Sequence, residues 1–135
     1  MRIIFFMLLV ILASCSNDSQ PDCGCDSPIL STITEADSLT GQMFYKKELE
    51  NDSYYINKFW IQYAEPNCGN CVHSVIICND TILGNEFDDL KSKPAGETIN
   101  VSFSGDIKSV CKLPNAWLAD ETFRRVTLTS IKRLQ

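Results

Sequence analysis

The sequence predicts a small, mostly β domain: a barrel of four to five antiparallel strands with one short helix, reached through a polar leader of the mature chain. Three observations carry that expectation. Short runs of β-branched and aromatic residues recur along the chain, separated by Asn, Asp, Gly and Pro. Between Ile99 and Ile107 apolar and polar residues alternate strictly, the pattern of a half-buried strand. Six cysteines lie beyond residue 20, an even set of the kind that staples small exported domains.

The chain has 135 residues, enough for one domain and a modest core. Its first fifteen residues read as an export signal rather than as structure. Met1 and Arg2 form a minimal basic start, and Ile3 to Leu12 is unbroken apolar sequence. Such a run is too short to cross about 30 Å of hydrocarbon as a permanent helix. Leu12-Ala13-Ser14-Cys15 then resembles the lipobox of bacterial lipoproteins. The resemblance implies removal of residues 1–14 and acylation of Cys15, with a membrane as the first partner through that lipid. Each buried methylene contributes about 0.8 kcal/mol, so two or three acyl chains hold effectively permanently. Ser16 stands where an Asp would favour retention in the inner membrane, which places the expected location in the cell envelope at the outer membrane, on its periplasmic or surface face. Ser16 to Pro28 is polar and acidic and reads as a flexible tether, so residues 15–28 are the lipidated tether and residues 29–135 the folded domain. Acidic tethers of this sort resemble the surface-export signals of Bacteroidota lipoproteins.

Within the domain, Ile29–Ile33 is short and β-branched and suits a first strand, closed by Thr34 to Asp37. Gln42 to Lys47 suits a second, ending in the turn-prone stretch Glu48 to Ser53. From Tyr54 to Tyr63 aromatic and β-branched residues dominate, with Tyr55, Phe59, Ile61 and Tyr63 on one face and Ile56, Lys58, Trp60 and Gln62 on the other. Glu65 to Cys71 reads as a hairpin loop leading into a central strand, His73 to Cys78, which Asn79 and Asp80 break. Phe87 and Leu90 sit at helical spacing in Gly84 to Lys91, and Pro94 ends that helix. In the strand Ile99 to Ile107, Gly105 falls on the core face, where glycine marks a bulge or a tight bend. In Glu121 to Leu134 the apolar parity changes between Leu128 and Ile131, which predicts a bulge at Thr129 to Ser130. A helix placed after the central hairpin suggests an OB-like barrel, the oligonucleotide/oligosaccharide-binding type. Cys71 to Asn79, a Cys-Val-His strand leading into an Ile-Cys-Asn turn, resembles small Bacteroidota lipoproteins of unknown function. That resemblance implies architecture and not activity.

With Cys15 lipidated, the disulfide candidates are Cys23, Cys25, Cys68, Cys71, Cys78 and Cys111. Cys23 and Cys25 flank a single glycine, too close for an easy mutual bond, so each is expected to reach a distant partner. Cys68 and Cys71 span Gly69-Asn70, where a local bond is sterically possible. The preferred arrangement joins the tether cysteines to the Cys68/Cys71 loop and Cys78 to Cys111, fastening the tether's end to the barrel. Cys68-Gly-Asn-Cys71 also matches the spacing of a thiol-disulfide oxidoreductase, but such chemistry seats its thiolate at a helix N-terminus, and a strand follows here. Zinc held by Cys23, Cys25, Cys68, Cys71 and His73 is the third option, opposed by an oxidising compartment.

His73 is the chain's one histidine and no nucleophile motif accompanies it; a polar cap on a strand is the expected role. The net charge is −5, and removing residues 1–14 takes away Arg2 and no acid. That balance argues against nucleic acid and against adsorption to an anionic bilayer by charge. Arg124, Arg125, Lys132 and Arg133 read as the solvated face of a strand. Tyr54, Tyr55, Trp60 and Trp117 either stack on sugars or fill the core. Asp37-Ser38-Leu39 and Asp80-Thr81-Ile82 resemble the Bacteroidota O-glycosylation site. The sequence thus points to a non-catalytic envelope lipoprotein with no cofactor and no metal, a binding or structural module for a protein or glycan partner, with the oxidoreductase as the alternative.

Overall fold

In the computed structural model, residues 19–37, 39–46, 54–94, 96–115 and 120–135 are described; the signal segment, Cys15 and Trp117 lie outside them. Among the described residues six strands form one sheet: β1 (Ile29–Ile33), β2 (Thr40–Lys46), β3 (Lys58–Ala64), β4 (Val72–Ile77), β5 (Ile99–Lys108) and β6 (Glu121–Arg133). Their order is β1-β5-β2-β3-β4-β6, and a further pairing of β5 with β6 closes a five-stranded barrel. β1 stands outside that ring. It shares one edge of β5 with β2, pairing near Gly105 to Lys108 while β2 pairs near Ile99 to Ser102.

This is the OB-like barrel the sequence predicts, with one difference. The strands are not all antiparallel, because β4 and β6 run parallel, Ile77 beside Val126. Parallel neighbours need a long crossover, which the segment carrying the helix and β5 provides. The short helix expected here is a 3-10 helix over Asn85–Lys91. Its two buried side chains, Phe87 and Leu90, are three residues apart, the repeat that a 3-10 helix places on one line.

The barrel core contains Met43, Phe59, Ile61, Val75, Val101, Phe103, Val126 and Leu128, with Phe87 and Leu90 packed among them. Full burial of each side chain of this size stabilises by about 1.5–3 kcal/mol. The core face read in β5 holds, with Ile99, Val101, Phe103, Gly105 and Ile107 all buried; on the face read as wet, Ser104 is buried as well. The bulge holds too. Ser104 faces Ser130 while Gly105 faces Leu128, which leaves Thr129 as the extra residue. The Thr129 and Ser104 hydroxyls share a hydrogen bond of 2.8 Å beside it.

Beyond Ile77 the β4 ladder is continued by a side chain. The Asn79 amide donates to the Leu128 carbonyl at 2.9 Å and its oxygen accepts from the Leu128 N–H at 2.8 Å, so both backbone groups next to the bulge are satisfied. At the far end of β6, Arg133 donates to both carboxylate oxygens of Asp89 and fixes the 3-10 helix to the strand. Asp37 accepts from the Thr34 N–H and hydroxyl, which turns the chain between β1 and β2.

Gly105 is required by closure. A Cβ there would lie 2.5 Å from the Thr127 carbonyl oxygen and 3.0 Å from the Leu128 Cα. Gly105→Ala is expected to lower stability by about 1–3 kcal/mol, read as a lower urea midpoint. Arg133, hydrogen-bonded to Asp89, holds that carboxyl below the ordinary aspartate range. Its folded-state pKa is therefore below its unfolded one, so the interaction contributes above about pH 4 and is lost as pH falls through the folded value. Asp89→Asn is expected to lower the urea midpoint at neutral pH, and the gap to the native chain should close in acid.

Candidate functional site

All six cysteines of the domain are paired, in an arrangement that differs from the one preferred from sequence. Cys23 bonds Cys111 and Cys25 bonds Cys78, while Cys68 bonds Cys71. The tether cysteines do reach distant partners, but not the hairpin. Cys71 and Cys78 bracket β4 and stand about 20 Å apart along the strand, so a segment packed at one end cannot serve both. The chain after Pro21 lies at the Cys78 end, beside the last residues of β5. The hairpin pair closes on itself in a tight turn, where the Cys71 N–H donates to the Cys68 carbonyl at 3.4 Å and the Cys68 N–H to Glu65 at 3.2 Å. The four sulfurs considered for zinc therefore sit in three different bridges, and no group of metal-ligating side chains forms among the described residues.

The two long bridges belong to a built clamp. Between them Gly24 adopts φ +93° and donates its N–H to the Ser109 carbonyl at 3.0 Å. That left-handed backbone favours glycine. The Ser109 hydroxyl donates to the Asp22 carbonyl at 2.8 Å, and the Lys108 ammonium donates to the Cys25 carbonyl. Ser27 is fully buried, its hydroxyl donating to the Gly24 carbonyl at 2.7 Å. Of the stretch read as tether, residues 22–27 are thus bound to the barrel wall.

At the other end of β4, His73 faces Thr122 across the parallel pair, with Nδ1 2.5 Å from the hydroxyl. Its Nε2 lies 3.5 Å from a Glu65 carboxylate oxygen, and Tyr63 stacks on the ring at 4.8 Å. The Tyr63 phenol is pushed up in pKa, by burial first and by Glu65 second. Next to this group Glu121 accepts from Ser74 at 2.5 Å and from Gln62 at 3.3 Å. These contacts tie β3, β4 and β6 together, which agrees with His73 as a polar strand residue. No helix begins at Cys71; the next residue opens β4.

The aromatic residues form a second, smaller core on the outside of the barrel. Phe44, Trp60, Ile76 and Arg125 lie in one row across β2, β3, β4 and β6. Phe44 and Tyr55 stack on Trp60 at 4.1 and 4.3 Å, and Tyr54 meets Phe123 edge to face. Tyr54, Tyr55 and Trp60 are 8–9 % exposed, so they fill a core and offer no open stacking face. The alternation read over Tyr54 to Tyr63 fails at its start for a local reason: Asn57 takes φ +54°, and the turn moves Tyr55 to the outer side. Lys58, donating to the Tyr54 carbonyl at 2.9 Å, is held low in pKa by burial and then by Arg125.

Open surface lies instead around Thr40 to Gln42, where three shallow grooves of about 280, 360 and 260 Å³ meet. Their walls mix polar side chains, among them Gln42, Gln62, Asn100 and Ser102, with apolar ones such as Leu39, Tyr63, Phe103 and Leu134, and Glu35 and Lys132 line one of the three. No sequence signal marks this place, because it arises where β1 and β2 part company on one edge of β5. Fold and clamp together define a disulfide-stapled OB-like barrel with its N-terminal segment fixed to the wall. In comparison with known proteins, the chain matches no protein-family model and no curated protein.

The bridges close loops of very different size, with sequence separations of 88, 53 and 3 residues. By loop-closure entropy the two long bridges each stabilise by about 4–5 kcal/mol and the short one by about 2 kcal/mol. Replacing Cys25 and Cys78 together by Ala is expected to lower the denaturation midpoint far more than replacing Cys68 and Cys71, as measured by urea titration.

Proposed function

We propose that this protein is a lipid-anchored lipoprotein of the bacterial cell envelope, working at the outer membrane as a non-catalytic binding module. The observation that carries the reading is the position of the clamp. The motif Leu12-Ala13-Ser14-Cys15 is followed within ten residues by two cysteines bridged to Cys111 and Cys78. Three disulfides suit an oxidising compartment, and a short tether fixed directly to the wall suits a domain held at a surface. For binding, the grooves around Thr40 to Gln42 offer hydrogen-bonding groups beside apolar and aromatic side chains, with Glu35 and Lys132 at one of them, chemistry suited to a glycan or a peptide.

The alternative, an exported thiol-disulfide oxidoreductase, draws support from one feature: the Cys68–Cys71 bridge spans two residues at a hairpin tip and is only half-buried. Against it stands the strand that follows, which supplies no helix dipole to stabilise a Cys68 thiolate.

Growth with labelled palmitate tests the anchor. The native chain should take up label and pellet with membranes, and Cys15→Ala should be unlabelled and uncleaved. An unlabelled native protein that still begins at Met1 would overturn the reading. For the module itself, the purified mature protein should fail to accelerate reduction of insulin disulfides by a dithiol. Turnover that disappears in Cys68→Ser would establish the oxidoreductase instead.

A further inference from the structure

Resting on the lipid-anchor reading, we infer that the barrel presents one defined surface to the bilayer: the side around the end of β5, where Ile29, Leu30 and Leu113 enter the lipid interface. Three exposed apolar side chains belong to the segments that converge there. Ile29 and Leu30 are 56 % and 57 % exposed and Leu113 is 46 % exposed, the three largest values among the exposed large hydrophobic residues. Ile29 pairs with Lys108, the last residue of β5, and Leu113 follows two residues after Cys111, which bridges to Cys23. The clamp and the apolar residues therefore occupy one neighbourhood.

Chain length does the rest. From Cys15 to Cys23 there are eight residue steps, and whatever conformation Ser16–Asp22 take, they span at most about 26–29 Å. A domain of this size is roughly 30 Å across. To turn its opposite side to the lipid, the tether would have to pass the whole body of the barrel. It is too short for that. Leu134 marks that opposite side: its N–H bonds the Asn100 carbonyl at the start of β5, roughly 25 Å along the strand from Lys108. The surface holding the clamp is thus kept within reach of the bilayer, and its exposed side chains include Ile29, Leu30 and Leu113 beside the charged Asp22, Asp26 and Lys112, which suit the headgroup level. Contact through the apolar three suits a chain whose net charge of −5 gives no general attraction to anionic lipid. The outward edge of β1 lies in the same surface and would be covered by the interface.

The test uses the full acylated protein in phosphatidylcholine vesicles with bromine on the acyl chains near the headgroups. Leu30→Trp and Leu113→Trp are compared with Leu134→Trp, each against the native background and after matching of circular dichroism. Both tryptophans at the clamp end should lose most of their added emission in brominated vesicles, and Leu134→Trp should lose little. Protein that floats with the vesicles while all three positions quench alike, or none does, would overturn the orientation and leave the anchor standing. Protein that does not float would overturn both. A detergent-extracted dimer that Leu30→Asp converts to monomer would assign the β1 edge to a second copy and overturn the inference.

Discussion

Pairing of Cys23 with Cys111 and of Cys25 with Cys78 governs where the folded body begins and how it can sit. A small exported domain has limited apolar surface to bury, and covalent bridges that close long loops offset part of the chain entropy that its core cannot. Here the bridges do a second thing. They turn residues 22–27 from loose chain into part of the barrel wall, with the Gly24 and Ser109 backbones and the buried Ser27 hydroxyl completing the fit. Because the two loops overlap, the second bridge to form closes a loop already shortened by the first, and their contributions do not simply add.

Barrel closure is the second constraint. β5 carries most of it, since it bonds β6 along one edge and divides the other between β1 and β2. Such a strand is crowded, and at Gly105 no side chain obstructs the approach of Thr127 and Leu128. Several polar side chains that invite a catalytic reading are engaged in this architecture. Asn79 substitutes for ladder bonds, Glu121 gathers Ser74 and Gln62, and His73 joins Thr122 and Glu65. Open grooves with both polar and apolar lining lie where β1 and β2 separate, which is why recognition is the reading favoured over chemistry.

How much of this was legible depends on how local the cause is. The β5 face, the bulge at Thr129 and the hairpin over residues 65–71 follow from parity and turn residues within a few positions, and they stand as expected. The helix was legible in place but not in type, since a spacing of three fits either helix within so short a run. Two features were beyond local pattern. The parallel β4–β6 pair joins segments some fifty residues apart, and the disulfide partners depend on which end of β4 the N-terminal segment meets. The face of Tyr55 was misread because of one residue, Asn57, whose left-handed backbone breaks the alternation that put Tyr55 on one face with Phe59, Ile61 and Tyr63.

The clamp is most directly tested by mapping disulfides in the mature protein, digested without reduction and fragmented in the mass spectrometer. The account predicts one assembly in which Cys23 is joined to Cys111 and Cys25 to Cys78, and a separate peptide in which Cys68 is joined to Cys71. Linkage of either tether cysteine to Cys68 or Cys71, or free thiols at positions 23 and 25, would contradict it.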